Sequence, residues 1–285
     1  MAANKYTIAW LCALTDELVA AKSMLDLEHD SRLGEVFNDP NKHTLGCIGR
    51  HNIVICCLPK GIYGTDAASS AVTIGIGGAV LSTRHDIRIG DVAVSVPGNG
   101  LGGVLQHDFG KHLEDRFLHT RSLNKPPAVL LNAVSEVAAH HLLSPLGPRV
   151  NPEAHYGLID SGNQVIRNPA MRDWLAQIPD VICVEMEAAG VMDILPCLVI
   201  RGISDFADAS KDDRWKRYAA ATAAAYAKEL LNEVPQQDVE ISTLAGQLYL
   251  GSALPHMRAK LSLDENPNWR IYEAACFQQP PPIRR

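Results

Sequence analysis

Aromatic residues are scarce, at only 6% of the 285-residue chain. The core must therefore be packed mostly from Ala, Val, Ile and Leu. No uncharged apolar run reaches the roughly 18 residues that a membrane span requires. The longest apolar stretch, Val181 to Ile200, is interrupted by Glu185, Glu187 and Asp193. A short apolar segment from Tyr6 to Leu14 imitates a leader peptide. It carries one preceding basic residue, Lys5, and runs straight into Asp16-Glu17, so it reads as a buried first strand. No long block of like charge exists, and the formal charge is −6. Neither nucleic acid nor an anionic membrane is expected as a partner through bulk electrostatics. No CxxC pair occurs among the seven cysteines, Cys12, Cys47, Cys56, Cys57, Cys183, Cys197 and Cys276. Most of them sit in apolar runs and read as reduced core residues of a cytoplasmic protein, without zinc or disulfides.

What is present is a globular composition, 47% hydrophobic and 20% charged. Strand-like runs rich in β-branched residues occur at Tyr6–Ala13, Val72–Ile76, Asp91–Val96, Tyr156–Asp160, Val181–Val184 and Cys197–Ile203. Thr44–Ile48 and Ile53–Leu58 flank a Gly49-Arg50-His51-Asn52 turn and predict a hairpin. Helical spacing appears over Asp16–Asp26, Pro127–His141, Met186–Leu195 and the Ala-rich Trp215–Val234. Strands alternating with helices imply an α/β domain with a mainly parallel sheet. The polar, aperiodic stretch 235–285 predicts a peripheral or disordered tail, leaving 1–234 as the domain.

In open α/β sheets ligands gather beyond the carboxyl ends of strands. Three acids stand there: Glu17 after the first strand, Glu187 after Val181–Val184, and Asp205 at the end of Leu198–Asp205. A glycine-rich segment, Gly75-Ile76-Gly77-Gly78, predicts a turn after a fourth strand, where bare backbone can approach a ligand. Any one acid in such a place is most often a helix cap or a solvated loop residue. Together they support a small-molecule site that uses carboxylates.

The segments Val184-Glu185-Met186-Glu187-Ala188-Ala189-Gly190 and Arg201-Gly202-Ile203-Ser204-Asp205-Phe206-Ala207-Asp208 resemble signatures of the nucleoside phosphorylase/nucleosidase superfamily. That family includes purine nucleoside phosphorylase, uridine phosphorylase and methylthioadenosine/adenosylhomocysteine nucleosidase. Gly75–Gly78, Asp86–Val92 and Ser161-Gly162-Asn163-Gln164 fit other segments of the same family, in order. The likeness is strongest to fungal members, which are often fused to signalling or repeat domains.

The resemblance implies a three-layer α/β/α fold with a mixed, mainly parallel central sheet. It implies cleavage of the N-glycosidic bond of a ribonucleoside, a purine one in first place, through an oxocarbenium-like transition state. In that scheme Asp205 is the general acid at purine N7 and must hold a proton near neutral pH. Glu187 accepts the ribose hydroxyls and Met186 packs on the sugar. Glu17 activates the attacking water, Val165 and Ile166 contact the base, and Gly75, Ile76, Gly77, Gly78 and Ser204 complete the substrate site. No metal or redox cofactor is implied, and a homo-oligomer is.

Hydrolysis or phosphorolysis depends on the nucleophile. By the resemblance, bacterial-type phosphorylases carry an Arg and a hydroxyl residue at positions held here by Thr73 and Ile76, and the N-terminal loop lacks the family's Gly-Asp-Pro phosphate segment. With Glu17 present, these differences favour water. Arg50, Arg84 or Arg88 could supply a phosphate-binding cation instead, with phosphate as co-substrate. A catalytically weak nucleoside-binding sensor is a third reading, because fold does not fix function.

Three other signals compete. Gly98-Asn99-Gly100-Leu101-Gly102-Gly103 matches GxGxxG, but Val104–Gly110 does not open a helix, and a glycine-rich loop is preferred over a dinucleotide site. His107 and His112 lie five apart, which is not one helix face, so packed or solvated histidines are preferred over metal ligands. Only Pro59 to Ala71 separates the Ile53–Leu58 strand from the next one, which predicts a truncated crossover helix of about two turns, ~10 Å against a strand of ~20 Å.

Overall fold

The computed structural model describes residues 6–30, 42–57, 70–82, 84–112, 117–119, 122–143 and 152–236. These all fall in the first of two units, Met1–Thr243; the second, Leu244–Arg285, lies outside the described residues. So do the predicted short crossover before Ala71 and nearly all of the predicted tail.

The strands are β1 (Ile8–Cys12), β2 (Leu27–Glu28), β3 (Lys42–Ile48), β4 (His51–Cys57), β5 (Ser70–Ala79), β6 (Val92–Ser95), β7 (Val104–Gln106), β8 (Gly110–His112), β9 (Phe117–His119), β10 (Ala154–Ser161), β11 (Val181–Glu185) and β12 (Cys197–Asp205). The helices are α1 (Thr15–Met24), α2 (Ala128–Leu143), α3 (Pro169–Leu175), α4 (Ala188–Ile194) and α5 (Lys216–Glu233). The main sheet runs β11-β10-β6-β12-β5-β1-β4-β3-β2, with β7 added beside β10. It is mixed: β1, β4, β5, β10, β11 and β12 make parallel pairs, whereas β6–β12 and the β3–β4 hairpin are antiparallel. The hairpin turns at Gly49, whose φ of +54° is left-handed backbone suited to glycine.

Period-two alternation divides the strands between two cores. Ile8, Trp10, Val72, Ile74, Leu198 and Ile200 face α1, α2 and α5. Ala9, Leu11, Ala71, Cys197 and Val199 face the opposite side, where Ala188, Val191 and Met192 of α4 cover them. This is the three-layer arrangement expected. Ala219, Ala220, Ala223, Ala224 and Ala227 form the buried stripe of α5. Small residues let the helix come very close: a Cβ added at Gly202 of β12 would lie 1.8 Å from the Ala219 carbonyl oxygen.

Two expectations need correction. Gly75–Gly78 is not a turn after a strand; it is the second half of β5. None of Gly75, Gly77 and Gly78 has positive φ. Their role is to remove side chains from an extended segment, so that neighbouring groups can cross it. The strand then bends far enough for Gly78 and Ala79 to pair antiparallel with Val184 and Cys183 of β11. That pairing joins β5, β12, β6, β10 and β11 into a closed ring. Second, α3 occupies a stretch for which the sequence pattern predicts no element. Asn168 caps it by accepting the Ala170 N–H at 3.0 Å, and Pro169 opens its first turn.

Candidate active site

Three strand ends and one helix start build the site. Glu17 stands in the first turn of α1 with its carboxylate turned back onto the chain. Oε2 accepts the N–H groups of Ala13 and Leu14 at 2.8 and 2.9 Å. Oε1 accepts the Ile76 N–H of β5 at 3.0 Å. Glu17 is thus a helix-capping residue as well as a candidate base, and it is buried.

Arg201 of β12 organises the centre. Its side chain is buried, and its guanidinium bonds Glu185 directly and Glu187 at 3.4 Å. Gly75 makes room for it: a Cβ there would lie 2.1 Å from Arg201 Nη1 and 2.5 Å from Glu17 Oε1. One guanidinium therefore pairs with two carboxylates, Glu185 and Glu187, and feels the charge of a third, Glu17, across Gly75. Without it, those carboxylates would be close, buried and mutually repulsive. Burial, reinforced by Glu185 and Glu17 and opposed by Arg201, raises the Glu187 carboxyl to about 7. Glu185 also accepts the N–H groups of Glu187 and Ala188, which fixes the strand-to-helix turn. Neither Arg201 nor Glu185 is among the site residues expected from the sequence. Charged side chains within otherwise apolar strand runs are the signal that could have found them.

Met186 and Glu187 border a cavity of about 200 Å³ together with Gln106, Ser161, Gly162, Asn163, Ala189 and Gly190. The segment after β7 braces its wall. Asp108 accepts the backbone and side-chain N–H groups of Asn163 at 2.9 and 3.1 Å. His107 Nδ1 lies 2.7 Å from Asp160 Oδ2, and the ring fills the space under Gly162. Burial raises Asp160 to about 6 against the pull of His107; at His107 burial is opposed by that bond and by the charges of Asp160 and Asp108, which together raise its pKa. His107 is thus paired with a carboxylate. Gly98–Gly103 leads into strand β7, so no helix N-terminus is offered there to a dinucleotide phosphate.

Asp205 ends β12, across from Gly78. Its Oδ1 accepts the Ala207 N–H at 3.0 Å, and its Oδ2 lies 2.8 Å from Ser204 Oγ and 2.9 Å from Lys211 Nζ. A Cβ at Gly78 would stand 2.8 Å from Asp205 Oδ1, so glycine there lets the acid lie close against β5. Ser204 is buried and turned inward, with Oγ 3.3 Å from the Gly77 carbonyl. Val165 is 53% exposed, whereas Ile166 packs on the small core around Leu175 and Val184. The structure thus brings Met186 and Glu187 onto the cavity wall. Glu17, Gly75 and Ile76 join them through Arg201 and β5. Gly77, Gly78, Ser204 and Asp205 lie along the adjoining strands, and Val165 and Ile166 are not on the cavity wall.

A profile of the phosphorylase superfamily matches residues 7–234, and the chain belongs to that superfamily. A nucleotide-binding leucine-rich repeat-like protein of Hyaloscypha variabilis is 40% identical over 294 residues, covering 81% of this chain and 30% of that protein. The chain therefore spans less than a third of that relative. The 5′-methylthioadenosine/S-adenosylhomocysteine nucleosidase of Mycobacterium bovis is 26% identical, over 80% of this chain and 97% of that enzyme. Among solved structures, futalosine hydrolase of Helicobacter pylori has a TM-score of 0.62 at 19% identity, covering 81% of this chain and all of that one. No helix among the described residues is long and apolar enough to cross a membrane.

Proposed function

We propose that this domain hydrolyses the N-glycosidic bond of a purine ribonucleoside, releasing free base and ribose. The carrying observation is the charge around the buried cation. Arg201 is paired with Glu185 and Glu187 and lies in the field of Glu17, which leaves it no spare positive charge for a phosphate. A phosphate dianion placed beside this group would meet carboxylates. At about 4 Å each unit of like charge costs about 4 kcal/mol at an effective dielectric of 20. Two alternative cations are engaged elsewhere: Arg84 pairs with Asp180 and Arg88 with Asp91. Thr73, at the position where bacterial-type phosphorylases place an Arg, is buried with its hydroxyl on Cys197 Sγ. Water meets no such repulsion, and Glu17 can take its proton.

In this reading Glu187 binds the ribose hydroxyls, Met186 lies against the sugar, and Asp205 protonates the leaving base. The nucleosidase of M. bovis and an ATP nucleosidase of Escherichia coli, 44% identical over 72 residues, support bond cleavage as the class of chemistry. The reaction needs no metal or redox cofactor, and the protein works as a homo-oligomer. The test is chromatography of adenosine, inosine, guanosine and methylthioadenosine after incubation with the purified protein, with and without phosphate. Base plus ribose in phosphate-free buffer is expected. Ribose 1-phosphate formed only with phosphate would make it a phosphorylase, and binding without turnover would make it a sensor.

A further inference from the structure

Asp205 has a partner that the hydrolytic reading does not use. Lys211 Nζ lies 2.9 Å from Asp205 Oδ2 and is largely shielded from solvent. Its position is built. The loop after β12 turns at Ala207, a buried non-glycine residue with φ of +51°. Arg172 of α3 holds that loop from beneath, donating to the Phe206 carbonyl at 3.2 Å and pairing with Asp208 at 3.5 Å. Ser210 donates to Asp208 and tightens the turn that delivers Lys211.

The described groups touching Asp205 are all donors: the Ala207 N–H, the Ser204 hydroxyl and the Lys211 ammonium. A general acid must carry a proton it can release. Neither a backbone amide nor a serine hydroxyl gives one up readily, whereas an ammonium group does. The other ionisable groups near the pair are spoken for. Asp213 pairs with Lys216 at 2.8 Å, Asp208 with Arg172, and the Cys183 thiol on β11 is pushed upward by burial.

We propose that Lys211 is the proton reservoir for Asp205, so that the lysine–aspartate pair acts as one general acid. The proposal rests on the hydrolytic reading above. The C1′–N9 bond breaks and its electron pair goes to the purine. One proton moves from Lys211 Nζ to the Asp205 carboxylate, and one from the Asp205 carboxyl to the purine. The water oxygen bonds C1′ and its proton goes to Glu17. Water and nucleoside become ribose and neutral base. Glu17 then loses its proton to solvent and Lys211 regains one.

The test compares wild type, Lys211→Met and Lys211→Arg on the preferred purine nucleoside and on 4-nitrophenyl riboside, whose leaving group departs as an anion. Lys211→Met should lower kcat on the purine nucleoside by about 100-fold or more. Its remaining kcat should fall about tenfold per pH unit, because hydronium is then the proton source. Turnover of 4-nitrophenyl riboside should stay within about threefold. Lys211→Arg should keep the ion pair and the KM without restoring kcat, since guanidinium does not deprotonate. Equal loss on both substrates, full rescue by arginine, or an unchanged pH profile in Lys211→Met would each overturn the relay while leaving hydrolysis intact. A wild type that cleaves no nucleoside would remove the hydrolytic reading and the relay together. A wild type that requires phosphate would remove only the water step, with the relay still read on the same substrates.

Discussion

A single side chain, Arg201, decides how many acids this fold can keep in one place. Replacing it with Met would leave Glu185 and Glu187 without their shared cation, and loss of one partner of a buried pair costs about 3–5 kcal/mol. Thermal unfolding of Arg201→Met should show that loss, together with loss of turnover. On the proposed reading, with Asp205 as general acid, Asp205→Asn should lower turnover of purine nucleosides by about 10²–10⁴, measured as base released by wild type and variant at equal concentration. The pH dependence follows from Glu187. Its carboxyl is raised to about 7 by burial, so the native state binds this proton more tightly than the unfolded chain does. Stability from this group is therefore greatest at acid pH and declines as pH rises toward 7. Glu187→Gln should melt higher than wild type at pH 8 and close to it at pH 5. On the proposed reading, in which the ionised Glu187 carboxylate binds ribose, activity should run the other way, with wild-type kcat/KM rising through pH 7. At this scale the sequence is informative about acids and silent about their partners. Glu17, Glu187 and Asp205 can be found because they follow strands. Arg201 and Lys211 cannot be paired with them, because sixteen residues separate Arg201 from Glu185 and a loop conformation sets Lys211.

Among the elements, β5 and β12 set the geometry by what they omit. Gly75→Ala would force a methyl group between Arg201 and Glu17. Turnover should fall steeply, and the melting temperature should fall as well, by an overpacking cost of about 1–3 kcal/mol. Gly202→Ala tests something else. Its clash is with the Ala219 backbone, which cannot rotate away, so α5 must move as a body. A cost of about 3 kcal/mol, read as a melting-temperature drop of about 10 °C for a domain of this size, is the expected outcome. Most strands and helices are legible from period and composition: the β3–β4 hairpin, β1, β10, β11, β12, α2 and α5 all lie where predicted to within a few residues. Gly75–Gly78 misleads because glycine usually punctuates chains. Here the glycines lie in a strand crossed by side chains from two neighbours. The helix α3 escapes a periodicity search, although Asn168-Pro169 carries the cap-then-proline signal for a helix start.

For the whole molecule, the described cysteines are all free thiols. Added dithiothreitol should leave the melting temperature unchanged in a thermal scan; a drop would reveal a disulfide that matters to stability. The overall architecture is readable from the order of strands and helices, since alternation alone implies a covered sheet. The closure of the sheet is not. It depends on the antiparallel contact of Gly78 and Ala79 with Val184 and Cys183, residues about a hundred positions apart whose pairing no local pattern encodes.

That closure has a consequence for how the chain is made. The ring contains β5, begun at residue 70, and β12, which ends at residue 205, and every ring strand needs a neighbour synthesised much later or much earlier. While the nascent chain is shorter than this, β5 presents an unpaired, apolar edge on the side that β12 will occupy. Folding must therefore wait for the last strand, and its rate is governed by long-range pairing rather than by the fast local helices. Once β12 is in place the edge disappears. Backbone amides of β5 and β12 should then be the slowest in the molecule to exchange with deuterium.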